Sequence, residues 1–172
     1  HVPWLKRKVI PAREVSGDGS LQSDQIRWDR HLDHSSPDHL EIEEVITNLT
    51  DREVGTMFRI DLPFSSPIEN GWLAGDGDPG SLQVKEAANP TVFVPCGKWS
   101  LGLVAEDDLF RSQAVFSCQP DASGVSMRAE RLFLRPRGTL KLRWSLYLLR
   151  EAQYFDFINR LRSDWGVRMR IP

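Results

Sequence analysis

Hydrophobic and polar residues alternate with a period of two along much of the chain. The clearest stretch is TLKLRWSLYLL, whose apolar positions are Leu140, Leu142, Trp144, Leu146 and Leu148. The positions between them are occupied by Lys141, Arg143, Ser145 and Tyr147. GTMFRIDLPF repeats the pattern, with Phe58, Ile60 and Leu62 on one face. Alternation of this kind predicts strands that bury one face in a core and turn the other outward.

Further stretches have the length of strands and are separated by turn-forming residues. They are WLKRKVI, QIRWDRHL, HLEIEEVITNL, SLQVKEA, PTVFVP, WSLGLVAE, SQAVFSCQ and GVSMRAERLFLR. No helical pattern lies between them, and about ten short strands with frequent turns favour an antiparallel β-sandwich. We therefore predict a mainly β protein, with the sandwich over residues 1–152.

The stretch YFDFINRLRSDWG has a different period. Its large apolar residues fall at helical spacing, at Tyr154, Phe157, Ile158, Leu161 and Trp165, and Gly166 suits the position after a helix C-cap. The pattern predicts one C-terminal helix within residues 153–172, followed by the start of a linker. Its apolar face must be covered either by the sandwich or by another domain.

Composition narrows the functional classes. The 172 residues are 40% hydrophobic and 27% charged, which is typical of an ordinary globular domain. No apolar run reaches the roughly 18 residues of a membrane span, so we expect no membrane partner. The net charge of −2 is uneven, because residues 128–172 are basic and the preceding part is acidic. No basic run with interleaved aromatic residues accompanies this asymmetry, so we expect charge pairing between strands rather than nucleic-acid binding.

The sequence leaves the cellular compartment open, with secretion or a periplasmic location as one interpretation. The first residues lack the apolar segment of a signal peptide and no initiator methionine is present. The chain therefore looks processed or trimmed at its front, and an exported protein would already have lost its signal.

Two groups of residues resemble metal ligands. His31, Asp33, His34, Asp38 and His39 are clustered in RWDRHLDHSSPDHLE, but their surroundings predict a strand end and a turn, where such side chains usually cap backbone groups. GDGDPG resembles the start of a calcium loop but lacks the glutamate expected further along. We predict no metal, no cofactor and no catalytic residue.

Aromatic side chains beside carboxylates and amides are typical of saccharide sites, because rings stack on sugars and polar groups bond their hydroxyls. The loop ENGWLAGDGDPG offers such a combination, and Trp99 is a second candidate for an exposed ring. The predicted saccharide-binding residues are Trp72, Asn70, Asp76, Asp78 and Trp99.

Cys96 and Cys118 would face each other if WSLGLVAE and SQAVFSCQ formed a hairpin that turns at Asp107. Facing cysteines on adjacent antiparallel strands can reach disulfide distance. The sequence leaves open whether they are bonded, as in an exported protein, or remain two buried thiols.

Two stretches, VITNLTDREVGTMFRIDLPF and TLKLRWSLYLLREAQYFDFINRLRSDWGV, resemble parts of the N-terminal β-sandwich accessory domain of large glycoside-hydrolase-like proteins. In that family a similar helix leads into a (β/α)8 barrel that carries the catalytic acids. The resemblance implies a non-catalytic domain that buttresses or extends a carbohydrate cleft. It also implies a downstream domain that packs on Tyr154, Phe157, Leu161 and Trp165.

Two alternatives stay open. The chain could be a stand-alone carbohydrate-binding or protein-interaction module, in which the helix is a cap. It could also be a small mutarotase-like enzyme that works with His31, His34 or His39 and a glutamate.

Overall fold

The computed structural model describes residues 13–14, 20–64, 68–75, 85–86, 89–118 and 124–167. The strands are β1 (Arg13–Glu14), β2 (Leu21–Gln22), β3 (Ile26–Asp33), β4 (His39–Asn48), β5 (Val54–Pro63), β6 (Trp72–Leu73), β7 (Lys85–Glu86), β8 (Thr91–Cys96), β9 (Trp99–Ala105), β10 (Ala114–Cys118), β11 (Gly124–Leu134) and β12 (Thr139–Arg150). The helices are α1 (Asp108–Gln113) and α2 (Tyr154–Asp164).

The strands form two antiparallel sheets. The large sheet has the order β1-β2-β3-β4-β12-β9-β8-β6, and the small sheet has the order β5-β11-β10-β7. Because β12 lies between β4 and β9, the most regular strand of the sequence occupies the middle of the large sheet. The predicted mainly β sandwich with a C-terminal helix is confirmed.

The core lies between the two sheets and follows the predicted alternation. Leu142 and Trp144 of the large sheet and Phe58 and Ile60 of the small sheet belong to one buried cluster. Glu44 faces the same interior and is fully buried. Burying a carboxylate is costly unless donors surround it. The donors to Glu44 are the Trp28 indole at 2.6 Å, the Trp144 indole at 3.0 Å and the Arg30 guanidinium at 2.8 and 2.9 Å.

Helix α2 packs on the outer face of the large sheet, the face that points away from the small sheet. Phe157 is fully buried there between the rings of Phe93 and Tyr147, at centroid distances of 5.4 and 5.5 Å. The ring of Phe157 lies directly over Gly102, where a Cβ would come within 2.4 Å of it. The glycine thus allows the helix to approach the sheet closely.

This packing changes the interpretation of the apolar face of the helix. Tyr154, Phe157 and Leu161 are buried against the large sheet, so the chain itself covers three of the four residues assigned to a downstream domain. Trp165 remains 37% exposed. The sequence left open whether the sandwich or another domain covers the apolar face of the helix, and in the structure the large sheet covers it.

The predicted hairpin around Asp107 is wrong. Helix α1 separates β9 from β10, and Asp107 is its N-cap, whose side chain accepts a hydrogen bond from the Phe110 amide at 2.8 Å. As a result, β9 and β10 lie in different sheets. Cys96 therefore pairs in register with Trp99, and Cys118 with Val125. Cys96 is a free thiol, whose pKa is raised by partial burial.

Pairing between the late and early parts of the chain balances some of the uneven charge. The late strand β12 is basic and lies beside the acidic β4, where Lys141 and Glu43 form an ion pair of 3.0 Å. Arg137 and Asp51 pair at 2.8 Å in the adjoining turns.

Within the described part of the chain, no helix is long and apolar enough to cross a membrane. The stretch WLKRKVI lies outside the described residues.

Candidate functional site: a pocket on the outer face of the large sheet

Two rows of polar side chains cross β3, β4 and β12 on the outer face. His31, Glu43 and Arg143 are register partners in the first row. The second row consists of Asp33, Glu41 and Ser145. Directly opposed residues on antiparallel strands have Cβ atoms about 5 Å apart. The rows therefore form the polar floor of a pocket of about 450 Å³.

One end of the pocket is formed by His39 and Tyr147, whose rings stack at 4.6 Å. The Tyr147 hydroxyl donates to Asp164 at 3.1 Å, and His39 Nε2 lies 3.3 Å from Glu41 Oε1. Burial and the negative charge of Asp164 raise the pKa of Tyr147. The phenol therefore stays protonated and acts as a hydrogen-bond donor at neutral pH.

The pocket wall comes from α2 and the segment around α1. The Trp165 indole donates to Glu106 at 2.6 Å, and the Arg111 guanidinium lies 4.2 Å from the centre of the Trp165 ring. Arg111 also donates to the Ala105 carbonyl at 3.1 Å. Since one face of the indole meets Arg111, this cation–π contact fixes the ring at the pocket edge.

Two buried polar atoms at the pocket lack hydrogen-bond partners among the described residues. They are the Ser145 hydroxyl oxygen and His39 Nδ1. Ser145 is only 1% exposed and lies in the floor. Because a buried polar group without a partner is costly, the Ser145 hydroxyl is suited to bonding a bound molecule.

The predicted saccharide residues lie elsewhere. Trp99 is exposed, as the sequence predicts, and Asn70 is exposed as well. Trp72 is only partly exposed, because its ring stacks on Tyr154 at 5.3 Å with an interplanar angle of 5°. Asp76 and Asp78 lie outside the described residues. None of the described members of this set lines the pocket, and their role in binding stays a prediction.

The histidine cluster is split by the fold. His31, Asp33 and His39 border the pocket, whereas His34 is exposed in the turn between β3 and β4. Asp33 caps that turn by accepting from the Ser35 amide at 2.8 Å, and this hydrogen bond lowers its pKa. Among the residues that the structure describes, no group of three or more histidine, cysteine or acidic side chains is arranged to hold a metal.

Several pocket residues were missed by sequence reasoning. Glu41, Glu43, Arg143 and Ser145 were visible as polar positions on outward faces, but alternation does not say which strands are neighbours. Glu106 could not be placed at all, since its position depends on α1.

Comparison with known proteins shows the fold alone. No family model matches the chain, and no curated protein matches it in sequence. A candidate aldose 1-epimerase from Escherichia coli K12 has a similar structure, with 12% identity and a TM-score of 0.50 over 82% of this chain and 68% of that one. A polysaccharide lyase has 18% identity and a TM-score of 0.56 over 88% of this chain and 24% of its own. A candidate kojibiose phosphorylase from the human microbiome has 11% identity and a TM-score of 0.49 over 88% and 20%. The first two of these structures thus share the β-sandwich fold with this chain.

Proposed function

We propose that this chain is a saccharide-binding β-sandwich domain of a larger carbohydrate-active protein. The observation that carries the proposal is the outer-face pocket, which combines a polar floor with the Trp165 indole at its edge. Its volume of about 450 Å³ lies within the range of roughly 300–1,000 Å³ of small-ligand sites. Sugar hydroxyls require both donors and acceptors, and the floor supplies arginine and serine beside carboxylates.

The fold comparisons support a carbohydrate-related role. The chain spans 68% of the candidate epimerase, but only 24% of the lyase. The same fold therefore forms most of one protein and a small part of another. Because a fold does not determine an activity, the argument for saccharide binding rests on the pocket.

The finer proposal is that the domain is non-catalytic and that it buttresses or extends the cleft of a glycoside hydrolase. Two exposed apolar side chains support it, since Phe155 on α2 is 75% exposed and Val167, three residues after the end of α2, is 55% exposed. A following domain would contact this side of the helix, because the opposite side is buried against the sheet. The alternative is a stand-alone binding module that uses the pocket with no further domain.

Titration with a panel of neutral oligosaccharides tests the proposal, with intrinsic tryptophan fluorescence and calorimetry as readouts. Trp165→Ala should weaken binding by about tenfold, because it removes a ring that can cover a sugar face. Trp99→Ala is the matched control, since it removes an exposed indole that does not line the pocket.

The two variants also separate the two candidate surfaces. Loss of binding in Trp99→Ala or Asn70→Ala, with Trp165→Ala unchanged, would place the saccharide at the substituted residue and not at the pocket. Absence of binding to every sugar would contradict the proposed function.

Acid–base chemistry on a sugar is a second candidate, favoured by the imidazoles and carboxylates around one pocket. His39 lies beside Glu41 and His31 beside Glu43. Opening a sugar ring needs one group that removes the anomeric hydroxyl proton and one that protonates the ring oxygen. This candidate predicts accelerated interconversion of sugar anomers, measured by polarimetry, and its loss in His39→Asn. A wild-type rate equal to that of buffer would exclude it.

A further inference from the structure

The second row of the pocket floor carries more negative charge than its surroundings balance. Five carboxylates line the pocket, together with the guanidinium groups of Arg111 and Arg143. Three of the carboxylates have strong donors within the protein: Glu43 pairs with Lys141, Glu106 with the Trp165 indole, and Asp164 with the Tyr147 hydroxyl. Among the described residues, Asp33 and Glu41 form no ion pair with a lysine or arginine, and the neighbour of Glu41 is the His39 imidazole, whose Nε2 lies 3.3 Å from Glu41 Oε1.

These two carboxylates are direct register partners on β3 and β4. Like charges placed opposite each other destabilise a sheet. Both side chains face the pocket, and the Glu41 side chain is 62% exposed. The turn hydrogen bond from the Ser35 amide to Asp33 keeps that carboxyl ionised. A positively charged ligand would therefore relieve the repulsion between these two carboxylates.

The Ser145 hydroxyl completes the row on β12, as the register partner of Glu41. It is buried and has no hydrogen-bond partner within the described structure. Its oxygen has lone pairs to offer, and an ammonium group has three donors and no acceptor. Two carboxylates and one hydroxyl therefore match the three N–H donors of a primary ammonium group.

We propose that the pocket selects a saccharide with a free amino group, which binds at the row formed by Asp33, Glu41 and Ser145. This inference rests on the proposed function, because it names the sugar class of the same pocket. The sugar ring lies beside Trp165 and its ammonium group points to the row. A uronic acid is disfavoured there, since its carboxylate would meet two further carboxylates.

The test compares oligomers of the same length and linkage. Chitosan oligosaccharides carry ammonium groups, N-acetylated chito-oligosaccharides have lost that charge, and cello-oligosaccharides have hydroxyls instead. We expect the chitosan oligomer to bind about tenfold more tightly than the cello-oligomer at low salt and mildly acidic pH, where its amino groups are protonated. The preference should shrink as salt is added, because screening weakens exposed charge pairs.

Variants assign the preference to the row. Glu41→Gln should remove most of the preference for the chitosan oligomer, measured as the ratio of its dissociation constant to that of the cello-oligomer. Ser145→Ala should lower the preference for the chitosan oligomer by a smaller factor. Asp61→Asn is the control, since it removes one exposed carboxylate from the small sheet and changes the net charge equally.

The outcomes separate this inference from the proposed function. If charged and uncharged oligomers bind equally, or Asp61→Asn has the same effect as Glu41→Gln, the ammonium site is refuted while saccharide binding stands. If none of the oligomers binds, both proposals fail.

Discussion

Gly102 should be intolerant of the smallest substitution. Its Cβ would lie 2.4 Å from Phe157 Cε2, and 2.8 Å from two further ring atoms. Carbon atoms in contact prefer separations of about 3.5–4.0 Å, so the ring must retreat by roughly 1 Å. Phe93 and Tyr147 pack against the ring, and the retreat must therefore move helix α2 as a whole.

The expected cost of Gly102→Ala is about 2 kcal/mol in the free energy of unfolding, within the range for overpacked cores. For a protein of this size, it corresponds to a decrease in Tm of roughly 4–8 °C. Equilibrium urea denaturation followed by tryptophan fluorescence measures the free energy, and calorimetry measures Tm.

Gly55→Ala provides the matched control. Gly55 also lies in a strand, but its Cβ would make an ordinary contact of 3.5 Å with Phe133. We expect a change within about 0.5 kcal/mol. If Gly102→Ala proves as mild as Gly55→Ala, the docking of α2 on β9 is refuted.

A double-mutant cycle tests the contact itself. Phe157→Leu removes the edge of the ring, so the cost of adding Gly102→Ala to this variant should be smaller than its cost alone. Strict additivity would mean that the two residues do not touch. Because α2 carries Asp164 and Trp165 to the pocket, Gly102→Ala should also weaken saccharide binding.

Three further predictions concern stability. Glu44→Ala should cost roughly 3 kcal/mol in urea denaturation, because its buried donors lose their acceptor; an unchanged midpoint would contradict it. Asn48→Ala should cost about 2 kcal/mol, since the buried amide donates to three backbone carbonyls; a thermal melt equal to wild type would refute that role. Arg137 lowers the pKa of Asp51 in the folded protein. Their pair therefore stabilises the fold at pH values above the pKa of Asp51 in the unfolded chain, and this stabilisation is lost as the pH falls through the lower pKa of the folded state. In NMR titration Arg137→Ala should raise the pKa of Asp51, and an unaltered titration would exclude this pairing.

Much of the fold could be predicted from periodicity. The alternation in β5 and β12 identified their buried faces, and the helical spacing in α2 identified the residues that pack on the sheet. These patterns report which way a side chain points relative to its own backbone. Side-chain direction is a local property of the backbone, and burial of one face requires apolar residues at the positions that point inward.

Strand neighbours could not be predicted in the same way. The supposed pairing of Cys96 with Cys118 assumed a hairpin at Asp107, and a six-residue helix with one buried side chain, Phe110, removed the basis for it. Such a short helix has too little periodicity to be recognised. Its only local signal is Asp107 as an N-cap.

The candidate pocket was hidden for a related reason. Its floor joins residues from β3, β4 and β12, and its wall joins Trp165 to Glu106. The sequence marks the histidines and Trp165 for other reasons, and the remaining contributors read separately as ordinary surface positions. Only the assembled sheet shows that the polar positions of three strands form one concave surface, and that α2 closes one side of it.

The position of β12 has a consequence for synthesis on the ribosome. Trp144 and Glu44 are 100 positions apart in the chain, so β4 and β9 must wait with unpaired edges until β12 has been made. Exposed edges invite association with other chains. Nascent chains are therefore vulnerable to aggregation during the time between synthesis of β4 and synthesis of β12. A chaperone that shields strand edges should raise the yield of folded protein. Once β12 pairs with β4, the Trp144–Glu44 hydrogen bond favours the native register, since a slip of one residue would turn the indole to the opposite face of the sheet.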